Sequence, residues 1–498
     1  MISDIINVIN MKYILNPKFK LFGDKNRILL MSDNEDGGEM MFIHPVYAIM
    51  FSKFTGENDE NLVYKELSTM FDCDESDIVE VIRPFLNNSQ RVSIKYDGQT
   101  FTFPPKLLIK NRKNIIREDL SSMKYHINPP FDFQTIRLNV PKTLLLVLNT
   151  QCYTDCCYCY ADKKTAYKPM PTDKILKLIE EAKIVGISNF DLSGGEVLLH
   201  KDYDAILSTL LANGFNPFIS TKVPISKRKV DRLWEIGIRT IQISLDSVNP
   251  DLQENNLNVR MDYVAQIKNT IKELDDKGFD IVIKSTCTKE TCTVENIREL
   301  IQYIETIKHL KKYTFTPLGY SHYKSLEWYN EHKPTINVLK DIVSMVNEEK
   351  KGKYEVMWDF GSIHHKWEYK SSKAFAERAV CTGNVSGFVV LPDGKVTICE
   401  ELYWNVNFII GDLMKQSIME MWQSSEAYNL WNIAQSKIND KSACKTCSIF
   451  DSCRYKRGVC WKEIIAFYGK DNWQYPDPRC PQAPELNKDN EMLMYEKI

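Results

Sequence analysis

The chain has 498 residues, 43% hydrophobic and 26% charged, enough for two to four domains that each bury a core. Its 64 Lys and Arg nearly balance 66 Asp and Glu, so bulk charge favours neither a nucleic acid nor an anionic membrane as partner. The opening MISDIINVINMKYIL lacks the basic n-region and small-residue cleavage site of a secretory signal, and no apolar run approaches the roughly 18 residues of a spanning helix. The expectation is a cytoplasmic protein, whose 14 cysteines serve metal or redox chemistry rather than disulfides.

In chain order, short strands are predicted at KFKLFG, RILLMS and MMFIHP around an acidic turn. Helical stretches follow at 45–54, 60–72 and 75–88, and then RVSIKYDGQTFTF, a hairpin closed by Asp97-Gly98. Helices followed by a two-stranded wing spell a winged-helix module over residues 1–115. A DNA-binding reading of it is weak, because the third helix, ESDIVEVIRPFL, shows no basic face. Residues 116–140, with INPPFDFQ, read as a linker.

From Pro141 the pattern alternates. Strands are predicted at 143–148, 189–194, 216–221, 240–246, 280–286 and 313–318, with amphipathic helices at 172–185, 202–213, 226–236, 261–277 and 293–307. Repeated strand–helix units build a parallel sheet with right-handed crossovers. Six are too few for an eight-fold barrel, so the expectation over 141–345 is a partial (β/α)6 barrel in an α/β chain. Functional groups in such a fold gather at the C-terminal ends of the strands. The first strand runs directly into NTQCYTDCCYCYADKKT, where Cys152, Cys156 and Cys159 form C-x3-C-x2-C with Tyr158 before the last.

Three thiolates so close can wrap one corner of a [4Fe–4S] cluster and leave one iron open. Zinc wants four ligands, usually as two spaced pairs, and stays open only with partners distant in sequence. This loop resembles the signature of the radical S-adenosylmethionine (SAM) superfamily. The resemblance implies that the open iron binds SAM and that reductive cleavage yields a 5′-deoxyadenosyl radical. An electron donor such as flavodoxin or ferredoxin is implied too. Cys157 reads as a packed thiol turned away from the cluster.

Strand two ends in Ser193-Gly194-Gly195-Glu196, where glycines permit close backbone approach and a carboxylate can accept from an ammonium. It resembles the superfamily's Gly-Gly-Glu motif for the SAM amino group, so Gly194, Gly195 and Glu196 are candidate contacts with Tyr158. Ser220 in FISTK and Ser244 in ISLDS sit at comparable strand ends. Many relatives carry Arg-Gly downstream of strand four, where this chain has Asn258-Val259.

Seven more cysteines fill the last quarter: Cys381, Cys399, Cys444, Cys447, Cys453, Cys460 and Cys480. With NFIIGDLMKQSIMEMWQSS between them they resemble the SPASM domain, expected over 379–498 after a bridging region, 346–378. A zinc ribbon using Cys444 and Cys447 is the competing reading. The resemblance implies two auxiliary [4Fe–4S] clusters, three clusters in all. The outer one would be held by Cys444, Cys447, Cys453 and Cys480, the inner one by Cys381, Cys399 and Cys460. Two features depart from the family. Six residues rather than three separate Cys453 from Cys460, and SSKAFAERAV offers no further Cys before Cys381. The inner cluster would then keep an open iron, for which a substrate thiolate is a fitting soft ligand.

A winged helix ahead of such a barrel resembles the recognition element of ribosomal-peptide (RiPP) maturases, which captures a precursor's leader by β-augmentation. The function implied is radical SAM modification of a ribosomally made precursor. The expected product is a thioether from Cys sulfur to a carbon of an acceptor residue, as in sactipeptide and ranthipeptide maturases. Carbon–carbon crosslinking, epimerisation and formylglycine formation are the alternatives within the architecture. From another class comes a winged-helix iron–sulfur or zinc regulator, which has no use for Gly-Gly-Glu. No residue is singled out as catalytic.

Overall fold

The computed structural model describes residues 11–32, 40–121, 125–161, 167–360, 364–365, 369, 371–378, 380–485 and 494–495. The acidic turn, the extreme N-terminus and Ala379 of SSKAFAERAV lie outside them. The chain divides into two compact units, Met1–Thr135 and Ile136–Ile498.

In the first unit, β1 (Tyr13–Leu15) pairs antiparallel with β7 (Leu108–Lys110), and β2 (Phe19–Asp24), β3 (Arg27–Ser32) and β4 (Met40–Ile43) form an antiparallel sheet with β3 central. Helices α1 (Pro45–Ser52), α2 (Glu60–Phe71) and α3 (Glu75–Ile82) follow, then the hairpin β5 (Val92–Tyr96) and β6 (Gln99–Phe103). Asp97 and Gly98 both take positive φ, 48° and 71°, as a type I′ hairpin turn requires. The helices close over an aromatic core in which Phe51, Phe85 and Phe103 meet edge to face at 5.0–5.6 Å.

The expected linker is partly structural. Residues 118–121 form α4 (Glu118–Ser121), and the buried Arg117 donates to the carbonyls of Leu15 and Phe19. Buried Arg27 pairs with Asp24 at 2.8 Å and donates to Asp132 O at 2.9 Å. A buried guanidinium needs such partners, and that need draws the chain as far as Thr135 into the first unit.

The second unit opens with β8 (Thr143–Val147), α5 (Thr172–Val185), β9 (Asn189–Ser193), α6 (Tyr203–Ala212), β10 (Ser220–Thr221), α7 (Lys227–Ile236) and β11 (Thr240–Ser244). It continues with α8 (Pro250–Leu257), α9 (Tyr263–Lys277), β12 (Asp280–Cys287), α10 (Val294–Ile304), β13 (Leu310–Pro317), α11 (Leu326–His332), α12 (Ile336–Glu349) and β14 (Glu355–Trp358). All six predicted strands are present, and every ladder from β8 to β9 and from β10 to β14 is parallel. β10 is shorter than the predicted 216–221, since Pro217 has no N–H to give a ladder. β14 is a seventh parallel strand, beyond the predicted end of the barrel at 345.

After β15 (His364–His365), α13 (Ser372–Ala376), β16 (Gly387–Val390), β17 (Lys395–Thr397) and β18 (Ile409–Asp412), the order β18-β17-β16-β8-β9 joins the C-terminal region to the first barrel strand. The parallel β16–β8 pairing requires Gly387, because a Cβ there would run into Thr143. Then come α14 (Ile418–Trp422), α15 (Ser425–Trp431), α16 (Trp461–Tyr468) and β19 (Met494–Tyr495), the last pairing with β15.

The GDLMKQSIMEMW stretch is structural. Ser417 and Glu420 form a capping box on α14, and a Cβ on Gly411 would strike Met421. Fully buried Trp422 donates Nε1 to Leu138 O at 2.8 Å and stacks under the Arg137 guanidinium at 3.9 Å. No helix among the described residues is long and apolar enough to cross a membrane.

Candidate functional site

At the C-terminal ends of β8 to β13 lies a cavity of about 590 Å³, within the range of small-molecule sites. Cys152, Cys156, Tyr158, Cys159, Gly194, Gly195, Glu196, Ser220 and Ser244 all line it, so every predicted barrel contact meets in one chamber. Cys157 is not among the lining residues. Its thiol donates to Asn256 Oδ1 at 3.1 Å, and its amide and that of Asp155 donate to the last carbonyls of α8. Burial pushes the Cys157 thiol up to about 11, as for a packed group.

The glycines act differently from the expectation. A Cβ on Gly194 (φ +147°) would sit 2.6 Å from Asn149 O, and one on Gly195 would sit 2.6 Å from the carbonyl carbon of Gln151. Their small size lets this loop close directly on the backbone of the cysteine loop. Gly195 N donates to Asn149 O at 2.8 Å, and Asn149 Nδ2 donates to Glu196 O at 3.0 Å.

Glu196 is buried and well occupied. It accepts from Leu198 N at 3.0 Å, from Thr221 Oγ1 at 2.9 Å and from Lys222 N at 3.3 Å, locking the loop to β10. Burial pushes its carboxyl up, and these donors pull it back. A carboxylate has about four lone-pair sites, so room for one more donor remains. Ser220 Oγ accepts from Gln242 Nε2 at 2.6 Å.

Two residues escaped the sequence reading. Lys222, just after β10, and Asp246, just after β11, form a buried ion pair at 3.1 Å, and the Tyr158 hydroxyl bonds to both. Asp246 is fully buried and its Oδ1 also accepts from Thr286 N at 2.9 Å. Burial alone would lower the Lys222 ammonium, but Asp246 and then Cys156 outweigh it and hold it above its ordinary range. Burial and the Asp246 carboxylate together keep the Tyr158 hydroxyl protonated. The available signal was a charged residue just beyond each of two adjacent strand ends, in STK and SLDS.

The far wall comes from the C-terminal region: Glu400, Glu401, Tyr403 and Lys462. Tyr160 donates to Glu400 Oε2 at 3.1 Å, and Lys462 pairs with Glu401 at 2.6 Å. Both Glu400 and Lys462 adjoin predicted inner-cluster cysteines in sequence, Cys399 and, one residue removed, Cys460. The Cys460 thiol feels the charge of Cys381, Lys462 acts on both Cys399 and Cys460, and a Cβ on Gly383 would sit 2.5 Å from Ile398 O. Cys444, Cys447, Cys453 and Cys480 line a second pocket together with Phe375, Arg454 and Asp477. One π-type turn, Asp451–Tyr455, carries both Cys453 and Arg454.

The donor sets suit iron–sulfur clusters. Burial pushes the Cys399 thiol up to about 12 and that of Cys480 to about 11, and raises Cys381, Cys453 and Cys460. Thiolates at such positions need a cation, which a metal cluster supplies. Backbone N–H groups already reach the sulfurs, from Gly383 to Cys381, Glu401 to Cys399, Glu463 to Cys460 and Gln482 to Cys480. Among the described residues no three His, Cys, Asp or Glu side chains converge on a point fit for a single metal ion.

Comparison with known proteins agrees. Residues 146–304 match the Radical SAM superfamily and residues 381–448 match SPASM, an iron–sulfur cluster-binding domain. By sequence the chain is 29% identical over 142 residues to a probable GTP 3′,8-cyclase of Methanothermobacter thermautotrophicus, covering 28% of this chain and 46% of that one. It is 27% identical over 164 residues to molybdenum cofactor biosynthesis protein 1 of Dictyostelium discoideum, covering 32% and 25%. The chain thus spans half or less of these two curated relatives. By structure it is similar to Streptococcus suis SuiB bound to S-adenosylmethionine, with TM-score 0.60 and 14% identity over 94% of this chain and all of that one. SuiB bound to precursor peptide SuiA gives 0.58 and 15% over 93% and 98%. The chain therefore carries a radical SAM domain followed by a C-terminal SPASM domain, and these imply iron–sulfur clusters and S-adenosylmethionine.

Proposed function

We propose that the protein is a radical SAM maturase of a ribosomally made peptide and joins a Cys sulfur to a carbon of an acceptor residue. The observation that carries this reading is the shared chamber. One cavity is walled on one side by the cysteine loop and Gly-Gly-Glu, on the other by residues flanking Cys399 and Cys460. A substrate carbon and a substrate thiol held there face the two chemistries at once. Likeness to a fold solved with a precursor peptide supports a peptide substrate. The GTP named for the curated relatives is not carried over, since the first match covers 28% of this chain.

In this reading Cys152, Cys156 and Cys159 hold the SAM cluster, and Gly194, Gly195, Glu196, Ser220 and Ser244 surround SAM. Cys444, Cys447, Cys453 and Cys480 hold an outer auxiliary cluster, and Cys381, Cys399 and Cys460 an inner one. Bound together, cluster and SAM would supply the one-electron chemistry needed to activate a substrate C–H bond. The chain's own part is placement. Tyr158, Lys222 and Asp246 brace the floor of the chamber beneath the cysteine loop, and the Tyr160–Glu400 and Lys462–Glu401 contacts brace its far wall. The first unit would take the leader by β-augmentation, and β4 pairs on one side only, with β3, among the described residues. Tethering then raises the local concentration of the core peptide.

The test is incubation of reconstituted enzyme, SAM and reductant with a leader-bearing, Cys-containing precursor. The expected product has lost two hydrogens and its cysteine no longer reacts with an alkylating agent. A product that has lost two hydrogens yet keeps a reactive thiol would favour carbon–carbon crosslinking. Enzyme lacking residues 1–135 should still cleave SAM but modify the precursor far more slowly; equal turnover would refute leader docking.

A further inference from the structure

Two buried arginines converge on the outer cysteine set. Arg378, 6% exposed, donates Nη1 to Cys453 Sγ at 3.4 Å and to Phe375 O at 2.8 Å, and Nη2 to Gly458 O. Arg454, 8% exposed, donates Nη2 to Cys444 Sγ at 3.3 Å, to Gln474 O at 3.1 Å and to Tyr475 O at 2.5 Å. Its Nε is buried without a hydrogen-bond partner among the described residues, and the residue lines the pocket that Cys444, Cys447, Cys453 and Cys480 share.

Buried cations are ordinarily matched by carboxylates. Neither arginine is within ion-pair distance of one among the described residues, and the buried carboxylate of this pocket, Asp477, is held by Arg479 at 2.9 Å. What each guanidinium does reach is one thiol sulfur, Cys453 for Arg378 and Cys444 for Arg454, and both sulfurs belong to one ligand set. Four thiolates around a [4Fe–4S] core make a dianion that becomes a trianion on one-electron reduction. Two adjacent cations neutralise the first and stabilise the second. Hydrogen bonds to the sulfurs and net charge are the established levers on such a potential.

We propose that Arg378 and Arg454 are the built-in counter-charges of the outer cluster and hold its reduction potential high. The proposal rests on Cys444, Cys447, Cys453 and Cys480 being its ligands. Among the described residues no arginine donates to the sulfur of an inner cysteine: Cys399 and Cys460 meet backbone N–H groups and the carboxylates of Glu400, Glu401 and Glu463, with Lys462 nearby, and Arg378 and Arg479 act on Cys381 through charge alone. Electrons arriving at the auxiliary pair would therefore settle on the outer cluster.

The experiment uses the full-length chain with Cys152, Cys156 and Cys159 all changed to Ala, so that only auxiliary signals remain. Arg378→Met, Arg454→Met and the two Arg→Lys variants are reconstituted, assayed for iron and sulfide, and titrated against potential by EPR. Each Met variant should disfavour reduction of one auxiliary cluster at least tenfold, equivalent to about 59 mV for one electron, with Lys recovering most of the shift. Loss of iron in Met but not in Lys variants supports the same charge role. Full iron with unmoved potentials overturns it, as does a Lys variant indistinguishable from its Met counterpart. If Cys444→Ala and Cys480→Ala leave the iron content intact, the ligand assignment fails instead, whatever the arginines do.

Discussion

A single methyl group at Gly195 should cripple SAM cleavage while leaving the chain folded. Its Cβ would fall 2.6 Å from the carbonyl carbon of Gln151 and 2.7 Å from that of Thr150, with Gln151 O closer still. Ordinary contact begins near 3.4 Å, so the backbone at 150–151 must retreat by more than about 0.8 Å. The three nearest atoms are all main chain, so no flexible side-chain tip can yield to relieve them. Overpacking of this kind costs about 1–3 kcal/mol, a modest drop in unfolding midpoint for a chain this size. The functional cost is larger, because the moving segment leads directly into Cys152, whose thiol lies 3.2 Å from Gly195 O. Misplacing reacting groups by about 1 Å costs on the order of 100-fold in rate. Gly195→Ala should therefore lower 5′-deoxyadenosine formation about 100-fold, measured by chromatography on reconstituted enzyme at matched iron content. Gly23→Ala, where nothing lies within 4 Å, is the control and should be silent. A Gly195→Ala enzyme that cleaves SAM at the wild-type rate would refute the tight apposition of the two loops.

Three further outcomes are expected. Cys152→Ala, Cys156→Ala and Cys159→Ala should each abolish reductive SAM cleavage while iron bound by the C-terminal cysteines survives; 5′-deoxyadenosine at wild-type rates in all three would show the loop misassigned. Lys222→Met leaves the fully buried Asp246 without its cation, so urea unfolding should show a loss of about 3–5 kcal/mol, much of it recovered in Lys222→Met/Asp246→Asn, and additive losses would contradict the pairing. Burial, with Lys462 nearby, pushes the His322 imidazole down to about 4. Between the unfolded value near 6.5 and 4 the unfolded chain gains a proton that the folded one refuses, so stability should fall by about 3 kcal/mol as the pH drops through that window. His322→Gln should flatten the dependence, and parallel pH curves for the two chains would exclude His322 as its source.

Legibility in the sequence followed the range of the interactions. The cysteine spacings, the strand–helix alternation and the Asp97-Gly98 turn are local, and the corresponding elements sit where the pattern put them. The loop at 152–159 and Gly-Gly-Glu could be named as candidates from sequence because each needs only its own strand end, and the fold brings them to one cavity. Lys222–Asp246 was not, because neither residue means anything until β10 and β11 lie side by side and bury the charges together. β14 was missed for a related reason: EVMW is too short to alternate and becomes a strand only against β13. Composition also could not show the roles of Arg117 and Arg27, whose long-range carbonyl partners recruit residues that look unstructured by composition.

The arrangement of charge in the second unit gives the chamber its logic. Where an ion pair is complete within the chain, as in Lys222–Asp246, Lys462–Glu401 and Asp477–Arg479, it stiffens a wall and asks for no ligand. Where the pairing is incomplete, the missing partner has a defined sign. Among the described residues the buried Glu196 carboxylate accepts only from neutral donors, with the Lys229 ammonium acting on it at longer range, so the group it still accepts directly should be cationic, as an ammonium is. Arg378 and Arg454 are buried cations served by carbonyls and sulfur, so the group between them should be anionic, as a thiolate-ligated cluster is. The two predictions have opposite sign and come from separate pockets. Glu196→Gln should weaken SAM binding without changing any cluster potential, whereas Arg454→Met should do the reverse. An exchange of those phenotypes would mean that the chamber and the outer pocket have been assigned to the wrong ligands.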